Sequence, residues 1–543
     1  MISPRKLLLV VIFALAALGV SAASDIYFAQ NAAGSNNGSS CANAFAYNDG
    51  SHGINVGGNW SPGNKLHICG TINANAATNV ISAQGSGSSG NPITIKFENN
   101  AIVQEPYFGT SGSSGIYLSG RSFITIDGGS NGLIQATQNG TAGTSACPAG
   151  ACTFQKNNTT AIEAMGSNNF TVQNLNCDNQ YLQTAHDSVG GAPGIACIHF
   201  QGSNVSINNN QLHNAGIAID NTQYKSDDNT QIFDNDFQED GWAIGCAGAA
   251  YTNTNYQIYN NHFHNFDRWT LGGGATHVNG IHCYDGSGGG IASFYLYNNV
   301  FDGSMGTCCW TGWVYLESNG PGDNWNNNTG TVFAFNNIFV DSIGLGNASL
   351  QTGGGVNHLI VDNSFYGTLN SGTCLQWGGT GVTIQNNVFN NCGEIMFADP
   401  HSGQTPSYKA IDYNIYGKAQ SGNALWHVNS MSVSSMSAWQ SACNCDGHSQ
   451  AQLSSLLADI TPDGVPSSGF IGAQQGTDLM SMATGKLAAL AYDTGAGNSH
   501  TPVSRPTGTC STQGSSSCWE IGAYFGSGGA SPQPPTGLAA VVQ

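Results

Sequence analysis

Charge is what this chain has least of: only 8% of its 543 residues are Asp, Glu, Lys or Arg, and only 12 are basic. Nucleic-acid binding needs clustered Lys and Arg and is excluded on that ground. Polarity without charge often marks disorder. Here 40% hydrophobic and 10% aromatic residues argue for a folded chain, with polarity supplied by Asn, Ser, Thr and Gly. No Cys-x-x-Cys doublet occurs, which removes the usual spacing of a structural zinc site.

Long apolar runs are missing too, with one exception. Arg5 and Lys6 precede an apolar stretch from Leu7 to Leu18, and Val20-Ser21-Ala22 offers a cleavage site before Ala23. That stretch is shorter than the ~20 residues of a membrane helix. Residues 1–22 therefore read as a signal peptide, and the chain as exported, extracellular or periplasmic, with no membrane span. Without Arg5 and Lys6 the formal charge falls from -19 to -21 and ten basic residues remain. An anionic polymer then needs bridging cations, with Ca²⁺ the expected ion. All 16 Cys follow the leader, an even number that suits disulfides in an exported protein. Cys147 with Cys152, and Cys510 with Cys518, are spaced to pair across loops. Cys308, Cys309, Cys443 and Cys445 are expected to pair elsewhere.

What is abundant is a short repeat: aliphatic, any, polar, Asn, any, aromatic. It appears as Ile207-Asn208-Asn209-Asn210-Gln211-Leu212, as Ile232-Phe233-Asp234-Asn235-Asp236-Phe237 and as Ile258-Tyr259-Asn260-Asn261-His262-Phe263. The repeated Asn stands at 210, 235, 261, 299, 337, 363, 387 and 414, in steps of 25, 26, 38, 38, 26, 24 and 27 residues. Such steps are short for a helix-pair repeat of about 34 residues and suit three short strands joined by turns. Apolar and polar residues alternate within each copy, as strands require. The Asn is expected at a left-handed corner, bonding through its amide to neighbouring coils. The aromatic two residues later is expected to stack inward. Leucine-rich repeats lack support because their consensus is absent, and propeller blades are longer.

These copies resemble right-handed parallel β-helix repeat proteins of the pectin-lyase-like superfamily, over roughly residues 90 to 420. The resemblance implies an all-β solenoid and a fold on which polysaccharide lyases are frequent. The expected organisation is a signal peptide (1–22), an N-terminal cap and first coils (23–90), the parallel β-helix (91–430), a C-terminal closing segment (431–530) and a Pro-rich disordered tail (531–543). A monomer acting on polysaccharide is expected.

Both 38-residue steps carry about a dozen extra residues, and insertions in solenoids commonly build the binding face. Residues flanking the inward aromatic should face outward, which places Asp236, His262 and His264 together, with His213 and Asp302 in matching positions. The longer segments add Asp267, Arg268, His277, His282, Tyr284 and Asp285 as candidate catalytic groups. Trp269, Trp310, Trp313, Tyr315, Glu317 and Trp325 are candidate substrate contacts. Asp234 and Asp240, with Asp236, are candidate Ca²⁺ ligands, and the histidines suit a transition metal. Clustered titratable groups beside loops mark a site.

Two chemistries fit. In β-elimination, His282, His277 or Arg268 takes the proton beside a uronate carboxylate and Tyr284 protonates the leaving oxygen. In hydrolysis, two carboxylates flank the bond. Elimination is the first expectation and hydrolysis of a neutral or weakly acidic glycan the second. A non-catalytic carbohydrate-binding or adhesion solenoid is the reading outside enzymes. The groove Lys and Arg usual in lyases, and the paired Asp of β-helix polygalacturonases, are both missing. Asp399-Pro400-His401 is similar to the Asp-Pro-His of β-helix mannuronan epimerases, but its Pro reads better as a turn.

Overall fold

Alternation of apolar and polar residues makes short strands here, and Asn-rich corners make them turn. The computed structural model describes residues 23–75, 78–109, 114–137, 160–180, 196–222, 228–248, 252–266, 278–285, 290–306, 310–317, 330–340, 348–367, 372–398, 404–419, 424–453, 470–494 and 501–523. One coil consists of the strands Asp228–Phe233, Asp236–Gln238 and Trp242–Gly248. The next consists of Thr252–Tyr259, His262–His264 and Val278–Asp285. They pair in parallel with like above like: Ile232 on Ile258, Phe237 on Phe263, Ile244 on Ile281. Repetition stacks three columns of strands. The first two merge into a 26-stranded sheet and the third forms a 13-stranded one. The fold is a right-handed parallel β-helix. Its stack already begins at Asp25–Ala29, which pairs in parallel with Lys65–Cys69.

The corner between the first and second columns differs from the sequence expectation by one residue. The left-handed position belongs to the residue before the repeated Asn: Asn209, Asp234, Asn260, Asn298, Asn336, Asp362, Asn386 and Tyr413 all have φ between 53° and 57°. Short polar side chains tolerate that conformation best. The turn it makes aims the next side chain into the corner, where the repeated Asn is buried. Asn235 Nδ2 donates to Ile207 O at 2.9 Å and to Asn261 Oδ1 at 3.0 Å, while Asn235 Oδ1 accepts from Asn210 N and Nδ2 at 3.1 and 2.9 Å. The same bonds recur at every rung from Asn210 to Asn414. A buried amide is costly unless bonded, and here each rung satisfies its neighbours. Inside this ladder the aromatics Phe237, Phe263, Phe301, Phe339, Phe365, Phe389 and Tyr416 stack as expected, 4.6–5.6 Å between centroids.

The C-terminal part closes the stack twice. Helix Met436–Cys443 covers the last coil, laying Trp439 on Trp426 at 6.0 Å. Residues 470–494 and 501–523 then run back along the outer face of the first two columns. Phe470 and Ile521 cover Val388 and Ile415, Trp519 packs with Phe335, Leu359 and Val361, and Ala523 reaches Val300 and Ile338. Arg505 pins this cover: it is fully buried, 3.5 Å from Asp362, and donates to Asn336 Oδ1 at 3.0 Å. Burial pushes the Asp362 carboxyl up to about 7, against the pull of Arg505.

Six disulfides join described residues. Cys510 pairs with Cys518 as expected. Cys443 and Cys445 pair with each other, not elsewhere: Asn444 takes a left-handed turn at the helix end and brings the two thiols together. Cys147, Cys152, Cys308 and Cys309 lie outside the described residues. Among the described residues no helix is long and apolar enough to cross a membrane.

Candidate functional site

The outer face of the second column gathers imidazoles around one carboxylate. Parallel register sets Asp236 beside His262, Gln238 beside His264, and His264 beside Asp302. Asp236 Oδ2 meets His213 Nε2 at 2.9 Å, and Asp236 Oδ1 meets His264 Nε2 at 3.1 Å and His262 Nδ1 at 3.3 Å. The other nitrogen of His262 meets Asp302 at 2.9 Å. Burial alone would raise the Asp236 pKa, but its three imidazole partners outweigh burial and hold it well below the usual carboxylate range. Burial would lower His262; Asp236 and Asp302 instead lift it to about 9. The sequence placed Asp236, His262 and His264 together, and the structure does so too.

The structure divides the rest of the predicted constellation from this cluster. His282 and Tyr315 belong to the third column. Their row, read by register, runs Glu163, His199, Asp220, Gly245, His282, Tyr315, Gln351. Each member follows an inward aliphatic residue: Ile162, Ile198, Ile219, Ile244, Ile281, Val314 and Leu350 are all in the core. Strand alternation turns the row away from that core, yet Glu163, Asp220, His282 and Gln351 are buried. His199 Nδ1 lies 3.0 Å from Glu163 Oε2. Burial would lower His199, but the Glu163 hydrogen bond and the nearby Asp220 charge raise it overall. Gly245 contributes no side chain between Asp220 and His282. Trp242 meets the His282 ring edge-on at 4.2 Å, and Tyr315 lies 5.1 Å beyond it.

The third column also carries long connections. Thirteen residues separate His264 from Val278 and thirteen separate Glu317 from Thr331, with 23 between Ala136 and Thr160 and 17 between Asp178 and Ala196, against two at the first-to-second corner of these coils. Insertions at both ends of one column frame one face of a solenoid. Glu163, His199 and Asp220 were missed by sequence reasoning. Their signal is a second, weaker repeat of a small or thiol residue, Ile and an outward residue: Ala161-Ile162-Glu163, Cys197-Ile198-His199, Ala218-Ile219-Asp220, Ala243-Ile244-Gly245 and Gly280-Ile281-His282.

Other candidates fall elsewhere. Trp313 is fully buried against Phe266 and Phe301, so it is a core residue and no sugar contact. It follows a register shift at Gly312 within strand Trp310–Glu317, just before the inward Val314. Asp234, Asp236 and Asp240 do not share a Ca²⁺ site. Asp234 occupies the left-handed corner, where burial raises its pKa against an Asn260 hydrogen bond. Asp240 is fully buried at the following corner and accepts from Ala215 N at 2.9 Å; burial pushes it well above the carboxylate range. Among the described residues, ligand atoms converge only at Asp236, His262 and His264. Tyr284, Asp285, Trp310 and Glu317 lie on third-column strands. Asp267, Arg268, Trp269, His277, Trp325 and the Asp399-Pro400-His401 motif lie outside the described residues.

No protein-family model and no curated protein matches the sequence. Solved structures do share its architecture at low identity. The chain is similar to a GH136 lacto-N-biosidase from Eubacterium ramulus (12% identity, TM-score 0.42, 73% of this chain and 68% of that one). It is similar to pectate lyase Pel9A (12%, TM-score 0.41, 94% and 98%). A mannuronic acid specific polysaccharide family 6 lyase from human gut microbiota also matches (15%, TM-score 0.38, 81% and 85%). The fold rests on the parallel register of this chain's own strands, which make it a right-handed parallel β-helix.

Proposed function

We propose that this protein is an exported enzyme that cleaves polysaccharide by β-elimination on the outer face of the third column. The observation that carries this reading is the register Asp220–Gly245–His282. It sets an imidazole and a carboxylate on either side of a glycine, two rungs or about 9.6 Å apart at the backbone. Elimination needs a base for the proton beside a uronate carboxylate, an acid for the leaving oxygen and a positive charge near the carboxylate. His282 is the base. Tyr315, on the next rung, is the proton donor. His199, raised from its ordinary value, is the cation of the row. Calcium takes six to eight oxygen ligands, whereas Asp220 is the one carboxylate next to Gly245 in the row, so no step is assigned to Ca²⁺.

One observation favours hydrolysis as a second reading. Glu163 and Asp220 bracket His199, about 9.6 Å apart at the backbone, close to the carboxylate separation of inverting glycosidases. His199 stands on the rung between them, which favours elimination at the Asp220–Gly245–His282 rungs.

The test is a product analysis. The chain from Ala23 onward is offered uronic-acid polymers and neutral glycans. An unsaturated, ultraviolet-absorbing product supports elimination, with kcat falling about 10²–10⁴-fold in His282→Ala. New reducing ends without that absorbance support hydrolysis. Glycan retention without cleavage refutes an enzyme.

A further inference from the structure

The second-column cluster lies outside the chemistry proposed for the third column. We propose that Asp236, His262 and His264 bind a first-row divalent transition metal, Zn²⁺ being the type ion. This inference is independent of the proposed cleavage reaction.

Two of the three ligand–ligand distances match a coordination polyhedron, and all three ligand atoms lie within 4.8 Å of one another. Zinc–nitrogen and zinc–oxygen bonds near 2.0–2.2 Å place tetrahedral ligand atoms roughly 3.3 Å apart. Asp236 Oδ1 stands 3.1 Å from His264 Nε2 and 3.3 Å from His262 Nδ1. Hydrogen bonds share such lengths, so the surroundings decide. The remaining polar atom of each ligand is already held. Asp302 takes His262 Nε2, His213 takes Asp236 Oδ2, and Asn265 takes His264 Nδ1. Metal-bound imidazoles characteristically have such outer partners, which fix ring orientation. Asn265 Nδ2 lies 2.9 Å from His264 Nδ1 while its Oδ1 accepts from Ser304 N at 3.4 Å; ligation through Nε2 puts the His264 proton on Nδ1 and turns this amide away from Ser304.

Charge and access agree with this assignment. The His262 and His264 rings stack at 4.2 Å. Asp236 and Asp302 supply negative charge. The side chains of Asp236 and His262 are 35% and 37% exposed, open enough for an ion to enter and keep a water or ligand in a free position. Imidazole with one carboxylate suits Zn²⁺, Cu²⁺ or Ni²⁺ more than Ca²⁺. All three ligands sit on paired strands, so the site is built on rigid elements.

The experiment uses the full chain from Ala23, stripped with a chelator and dialysed against Zn²⁺ alone. The expected result is one Zn²⁺ per chain, released protons on binding, and affinity at least about 10-fold weaker in Asp236→Asn and His264→Ala. Removing an outer partner with Asp302→Asn should weaken binding about 10-fold or more while leaving the far-ultraviolet spectrum intact. Co²⁺ should give ligand-field absorption in wild type that is lost in Asp236→Asn. His448→Ala, at the separate exposed pair with Asp412, should bind like wild type. Equal Zn²⁺ affinity in wild type, Asp236→Asn and Asp302→Asn would overturn the proposal, as would wild type that binds none.

Discussion

The outer face of the second column is two different surfaces on one scaffold. From His213 to His264 its outward residues are polar and partly open, an arrangement that extends to Asp302. From Val300 onward the first outward position of each strand turns mostly apolar, with Ile338, Val388 and Ile415 sealed beneath residues 470–523. The inward side does not change across that boundary: Phe263, Phe301 and Phe339 stack at 4.6 and 4.8 Å straight through it. A solenoid separates these roles because each coil contacts mainly its neighbours. Inward residues maintain the stack, and outward residues are free to hold a cover or a site.

The comparison can be broken most severely at the cover's pin. Arg505→Ala leaves Asp362 buried without its cation and should cost about 3–5 kcal/mol. Urea denaturation should show the loss, and limited proteolysis should find residues 470–523 released. Unchanged stability would make the cover decorative. Next in size is the ladder that both halves share. Asn299→Ala removes the amide that donates to Ile258 O and Asn337 Oδ1 and accepts from Asn261, at a cost of about 2–3 kcal/mol. The two halves should then diverge at equivalent positions. Ile338→Ala, under the cover, should cost about 2 kcal/mol, and Gln211→Ala, in the same row of the open half, less than about 0.5 kcal/mol. Equal costs would erase the distinction between the two surfaces.

The smallest effect is electrostatic. His262 should titrate at about 9 by NMR, and Asp302→Asn should bring it down toward its ordinary 6.5. A raised histidine stabilises the fold fully below pH 6.5 and loses that contribution as pH rises through about 9. Asp236, held low, contributes above its ordinary 3.8 and loses that as pH falls below it. Both are one interaction seen from its two partners. A His262 midpoint near 6.5 in wild type would contradict the geometry.

The ladder was legible in sequence because Asn at 235, 261 and 299 has few substitutes in a corner that buries an amide and bonds it on both sides. Alternation around that ruler also placed Asp236, His262 and His264 on one face. The left-handed residue was misplaced by one position, since Asn runs such as Asn260-Asn261 do not say which member makes the turn and which the ladder. The third column stayed hidden because it has no constant residue. From Glu163 to His282 the steps are 36, 21, 25 and 37 residues, so insertions break the period before the eye finds it. Trp313 misled because an aromatic in a long step reads equally as a sugar platform or as core.

Crystallography of the His282→Ala variant with a bound oligosaccharide tests the functional account most directly. The sugar chain should lie along the third column across the Asp220–Gly245–His282 rungs, with a glycosidic oxygen facing Tyr315. An oligosaccharide ordered on any other face would contradict it.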